Sequence, residues 1–202
     1  SVSVDVGSAG SITLLMQSLL LPCVFSGRTI IVDLIGGTDV KWSEPIDYFA
    51  NIVAPFFRPY ADIEVSTTIR GYYPKGGGKV RIKIKSKTTL EGDLGPIMLT
   101  MRGDLLQIRG ISHASLDLEK ARVADRQASA AEILLSDYKV LVSIDRQYSK
   151  TFSTGSGIVL WAMFKDSIFE FPIMIGADCL GEKGINAELV GEKAAMNLRK
   201  EL

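Results

Sequence analysis

The chain has 202 residues, with 23 Lys and Arg against 23 Asp and Glu and an isoelectric point near 6.6. Apolar residues make up 47% and charged residues 23%, a balance that excludes a disordered tail, a collagen-like polymer and a small disulfide scaffold. Zero formal net charge excludes a uniformly basic nucleic-acid coat and leaves room for a local basic stripe.

A compact chain of this length buries roughly 70% of its unfolded surface, so its core needs neither metal nor crosslink. Cys23 and Cys179 lie far apart in apolar surroundings, without Cys/His ligand spacing, and read as structural residues in a reducing compartment. The longest apolar run, residues 12–25, is interrupted by Gln17, Ser18 and Pro22 and is too short to span a bilayer. No charged region of the signal-peptide kind precedes it. The expectation is a soluble, cytoplasmic protein with no membrane partner.

Residues 1–6 alternate polar and apolar and read as a strand. Gly7-Ser8-Ala9-Gly10 leads into a helix over 11–26. Residues 28–35 read as a buried strand, followed by a Gly36-Gly37-Thr38-Asp39 loop. Ser43-Glu44-Pro45 opens a second helix that runs to residue 59, with Pro55 as a kink. Strands over 62–70 and 79–86 enclose a loop at 71–78. This βαβαββ order predicts a partly parallel sheet whose last two strands form an antiparallel hairpin.

After residue 93 the pattern restarts. Strands are expected at 96–101 and 104–113, a long helix over 117–135, and strands at 139–145, 157–164 and 168–175. Residues 149–157 form a Gly/Ser-rich loop, and Gly181-Glu182-Lys183-Gly184 turns into a final helix from Asn186. The expected organisation is a first unit over 1–96, a second α/β unit over 97–180, and a helix over 181–202 that returns to the first unit. The first strand starts at Ser1, and Val190, Ala194, Leu198 and Leu202 carry the last helix to the end without a stop signal. An excised or incomplete segment is therefore expected, the alternative being a processed start and a frayed end.

Several groups have a functional reading beside a structural one. Gly7 to Ser11 would let a phosphate approach a helix N-terminus, although the G-K-[ST] ending of a Walker loop is absent; a tight strand-to-helix turn uses the same residues. Gln17 falls on an otherwise apolar face, where its amide must find partners, either within the fold or on a ligand. Lys79, Arg81, Lys83 and Lys85 share one face of one strand. Such a stripe neutralises RNA phosphates, or simply solvates a sheet face, and whole-chain neutrality favours the latter. Tyr72 and Tyr73, between Arg70 and Lys75, suit stacking of single-stranded RNA or the pinning of a glycine-rich turn. His113, the single histidine, has no second histidine or cysteine at ligand spacing and reads as structural. No nucleophile-elbow serine is present. Asp178, Glu182 and Asn186 read as turn caps.

Taken together, four strings resemble the RNA 3′-terminal phosphate cyclase family. They are Gly7-Ser8-Ala9-Gly10-Ser11-Ile12 with Gln17, the stretch from Gly36-Gly37-Thr38-Asp39 to Pro45-Ile46-Asp47-Tyr48, RGYYPKGGG at 70–78, and Gly181-Glu182-Lys183-Gly184-Ile185-Asn186-Ala187-Glu188. The resemblance implies βαβαββ units with a small inserted α/β domain at 97–180. It implies an ATP-dependent enzyme, a nucleotide-binding ligase of RNA processing, that converts an RNA 3′-phosphate end to a 2′,3′-cyclic phosphodiester. The implied route passes through a histidyl-AMP and an RNA-adenylate and releases AMP and pyrophosphate, with a divalent metal, Mg2+ or Mn2+, on the triphosphate.

By the same resemblance, Gln17 matches a nucleotide-contact glutamine and Pro45 a proline lining the adenine pocket. The loop with Arg70, Tyr72, Tyr73 and Lys75 is a family signature that touches RNA or phosphate, or is structural. By the resemblance, the family's glycine-rich N-terminal unit is expected to lie outside these residues. Its nucleophilic histidine is expected beyond Leu202, and His113 matches no such motif, so these residues alone are expected to be inactive. The alternative is a catalytically inactive cyclase-like RNA-binding factor in ribosome biogenesis. Enolpyruvyl transferases share similar units, but RGYYPKGGG argues against them.

Overall fold

A computed structural model describes residues 1–92, 94–165 and 172–202. The chain divides into two compact units, one of residues 1–98 with 151–153, the other of residues 99–150 with 154–202. Both are mixed α/β, each with one four-stranded sheet.

In the first unit the order is β1 (Val2–Asp5), α1 (Ile12–Val24), β2 (Thr29–Gly36), α2 (Ile46–Tyr48), β3 (Ala61–Ile69) and β4 (Gly78–Ser86). The sheet runs β1-β2-β4-β3, with β1 parallel to β2 and the other pairs antiparallel. Ser11 starts α1, its Oγ accepting from the Leu14 amide at 3.2 Å. Ile12, Met16, Leu20 and Val24 recur every four residues and form the buried stripe of α1, which packs on Val32, Leu34, Val80, Ile82 and Ile84 of the sheet.

The second helix differs from its expectation over 43–59. Only Ile46–Tyr48 is α-helical; Phe49–Val53 widens into a π turn and Ala54–Phe57 tightens into a 3-10 turn. Pro55 gives the reason, since it has no N–H to donate back one turn and its ring crowds the carbonyl there. The basic stripe of β4 is a solvated face with cross-strand acids opposite it. Arg81 pairs with Asp33 at 2.6 Å and Lys83 with Glu64 at 3.3 Å, each directly across in register.

In the second unit, β5 (Asp104–Ser115) and β6 (Leu141–Ser149) are parallel and joined through α3 (Val123–Leu135). β7 (Ser156–Lys165) and β8 (Ile173–Leu180) add antiparallel, giving the order β6-β5-β7-β8. α4 (Ala187–Glu201) follows. The core joins Ile108, Ile144 and Leu160 of the sheet to Leu135 of α3 and to Val190, Ala194 and Leu198 of α4.

That placement of α4 departs from the expectation that residues 181–202 return to the first unit. Small residues decide it: a Cβ at Gly191 would overlap the Gln127 carbonyl oxygen, so α4 lies backbone-close on the alanine-rich α3. Arg126 and Glu188 close the seam at 2.6 Å. Three other expectations shift. Residues 96–101 form no strand. The helix expected over 117–135 begins at Val123, because Arg122 takes a left-handed φ of 51°. Of the strand expected over 168–175, residues 168–171 lie outside the described residues. No helix among the described residues is long and apolar enough to cross a membrane.

Candidate functional site

Three loops meet at one end of the first sheet, where β1 and β2 finish and the β3–β4 hairpin turns. The Gly37 amide donates to the Gly10 carbonyl at 2.7 Å, and the Ile12 amide to the Gly37 carbonyl at 3.0 Å. The Thr38 amide donates to the Gly71 carbonyl at 2.9 Å, and the Gly71 amide to Thr38 Oγ1 at 2.9 Å. Asp39 and Tyr72 form a parallel bridge. The approach is close enough that a Cβ at Gly71 would strike the Gly36 carbonyl oxygen and come within 2.5 Å of the Gly78 amide. Gly76, at φ 63°, lies against the Ser8 carbonyl in the same way.

The Gly7–Ser11 turn connects β1 to α1. Amides at the start of α1 already have internal acceptors, the Gly37 carbonyl for Ile12 and Ser11 Oγ for Leu14. The Ile12 amide thereby ties the start of α1 to the loop after β2.

Gln17 does not face the core. It is exposed on the outer side of α1, with Leu14 and Leu21, and its Nε2 donates to Glu44 Oε1 at 3.1 Å. Thr13 Oγ1 donates to the Glu44 backbone carbonyl at 2.7 Å, so α1 holds this residue at two points. Glu44 immediately precedes buried Pro45, the N-cap of α2. Gln17 and Pro45, 28 positions apart in the sequence (45 − 17), are thus brought together through one intervening residue.

The signature loop splits into an inner and an outer half. Arg70 and Tyr72 are buried, whereas Tyr73 and Lys75 are exposed. The Lys75 amide donates to Ser153 Oγ at 3.1 Å. Arg70 Nη2 donates to Asp47 Oδ2 at 2.7 Å and Nη1 to Asp39 Oδ2 at 3.3 Å. Burial alone would push the Arg70 guanidinium down, but the Asp39 and Asp47 carboxylates more than offset it and hold it above its ordinary range. Arg70 therefore ties the end of β3 to the loop at Asp39 and to α2 at Asp47.

Asp39, Glu44 and Asp47 are the site residues that sequence reasoning did not single out. A signal for the two aspartates was present: a buried arginine requires acidic partners, and both flank the Pro45 segment. Their carboxylates are hard oxygen donors of the kind that can hold a divalent cation. With the Arg70 guanidinium already on both, an ion here competes with it for the same charge.

A family model described as RNA 3′-terminal phosphate cyclase matches residues 1–176. The chain belongs to the RNA 3′-terminal phosphate cyclase family. It is 40% identical over 200 residues to the RNA 3′-terminal phosphate cyclase of Archaeoglobus fulgidus, covering 98% of this chain and 55% of that protein. The Hyperthermus butylicus protein of the same description is 37% identical over 206 residues, 98% of this chain and 54% of its own length. For Pyrococcus abyssi the figures are 39% over 209 residues, 100% and 56%. The chain thus spans just over half the length of the curated cyclases it matches. Three of the strings that carry the cyclase resemblance, at 7–12, 36–48 and 70–78, are the loops that converge at this sheet end.

Proposed function

We propose that the whole protein converts RNA 3′-terminal phosphates to 2′,3′-cyclic phosphodiesters with ATP, and that the loop end of the first sheet is part of its adenylate-handling pocket. The observation that carries this reading is the Gln17–Glu44 hydrogen bond beside Pro45. It links Gln17 to the residue that precedes Pro45, and Gln17 and Pro45 are the two residues that sequence resemblance assigns to nucleotide contact. Gln17 offers an amide oriented by Glu44, and the buried Pro45 ring offers an apolar wall for adenine.

In the proposed sequence a histidine nitrogen attacks the α-phosphorus of ATP, and the bond to pyrophosphate breaks. An RNA 3′-phosphate oxygen then takes the AMP and frees the histidine. The neighbouring 2′-hydroxyl attacks the 3′-phosphorus, loses its proton and expels AMP. A divalent metal bound with the triphosphate would supply charge neutralisation on the leaving pyrophosphate. His113 is fully buried on β5, which supports placing the nucleophile in the part of the relatives' length that this chain does not span. We read the first unit as core and the second as the family's inserted domain. Two free cysteines fit a cytoplasmic setting.

The test is RNA carrying a 3′-phosphate, incubated with ATP and the whole protein. Formation of a cyclic end, lost when the nucleophilic histidine is replaced, is the expected result. The 202-residue chain alone should form no acid-labile adduct with α-labelled ATP. RNA-end binding without adenylylation by the whole protein would replace this reading with that of an inactive RNA-binding factor. An adduct on His113 would overturn the assignment of the nucleophile.

A further inference from the structure

The chain has two tryptophans in opposite circumstances. Trp161 is 6% exposed in the core of the second unit, whereas Trp42 is 95% exposed. Trp42 also holds a left-handed backbone, φ 63°, which a bulky side chain adopts only at a cost. A loop tip needing only that conformation would favour glycine or asparagine. The residue lies two positions before Glu44, with exposed Lys41 preceding it. The Asp39–Tyr72 bridge aligns its loop with the one bearing exposed Tyr73 and Lys75.

We propose that Trp42 is a stacking platform for a base at the 3′ end of single-stranded RNA, a reading that rests on the proposed RNA-end activity. An indole face beside exposed ammonium groups has the chemistry of a single-strand contact, with ring stacking on a base and cations near the backbone. Its exposure distinguishes it from an adenine pocket, which encloses its ligand. Pro45, buried three positions on, is the enclosed counterpart.

In the whole protein, the difference in emission between the parent and a Trp42→Phe variant reports the contact, separating Trp42 from Trp161 and any other tryptophan. Titration with a 3′-phosphorylated RNA oligonucleotide should quench Trp42, and an oligonucleotide abasic at its 3′ terminus should not. Trp42→Ala should weaken RNA binding by roughly 5- to 150-fold, with Trp42→Phe intermediate. Trp42→Gly should weaken it equally while melting no lower than the parent chain, which separates a binding role from a structural one. RNA binding by anisotropy without quenching would overturn the proposal and leave the functional reading intact. Quenching by ATP alone, or shielding of Trp42 from acrylamide before RNA is added, would also overturn it. Absence of any RNA binding would overturn both.

Discussion

Arg70 and Asp47 meet at 2.7 Å with both side chains nearly removed from solvent, 5% and 11% exposed. Arg70 directly follows β3 and α2 carries Asp47, so the ion pair fixes where the signature loop leaves the sheet. Removing the guanidinium leaves Asp39 and Asp47 buried without the cation that faces both. Arg70→Met is expected to destabilise the chain by about 3–5 kcal/mol, read from urea unfolding. A change within about 0.5 kcal/mol, as for an exposed residue, would restore Arg70 to the role of a ligand contact.

Glu44 orients Gln17 without being part of the apolar core. Glu44→Ala should therefore weaken ATP binding about 5-fold, the worth of one lost orienting hydrogen bond, while leaving thermal stability nearly unchanged. Calorimetric titration of the whole protein with ATP measures it. Unaltered affinity would separate Gln17 from the nucleotide site.

The Tyr148 hydroxyl donates to Asp125 Oδ2 at 2.7 Å. This bond holds the Asp125 carboxyl below its ordinary range, against the upward push of burial and with a smaller contribution from Arg122. Because the folded value is depressed, the resulting stability is present above the unfolded carboxylate value of about 4 and is lost as pH falls through the folded one. Tyr148→Phe should be less stable than the parent at pH 6, and the gap should narrow as pH drops below 4. Denaturant midpoints across that range decide the matter, since a gap independent of pH would mean that only packing was lost.

Leu198 is wholly buried between α4 and the second sheet. Leu198→Ala should cost about 2–5 kcal/mol and speed hydrogen exchange in β7 and β8. Faster exchange confined to β1–β4 would instead assign the helix to the first unit.

Much of the fold was legible locally. Period-two alternation at 1–6 and 79–86, four-residue recurrence along α1, and the short connection between β3 and β4 each depend on neighbours a few positions away. Pro55 marked a disturbance in the second helix, but whether it bends, widens or tightens the turn depends on the surrounding packing. The site was legible only in part. Gln17 and Pro45 could be named, yet the outward direction of Gln17 could not, since α1 carries leucines on both sides and its apolar pattern has no clear polar face.

By itself the sequence determined the alternation of strands and helices and the strings shared with the cyclase family. Periodicity and turn chemistry act over one or two turns of chain, and such signals survive without knowledge of the rest. Tertiary structure alone decided that Arg70 is clamped by Asp39 and Asp47, that Glu44 links Gln17 to the Pro45 segment, and that α4 covers the second sheet. These depend on residues 20 to 100 positions apart reaching the same place, which only the mutual burial of two complementary surfaces can select.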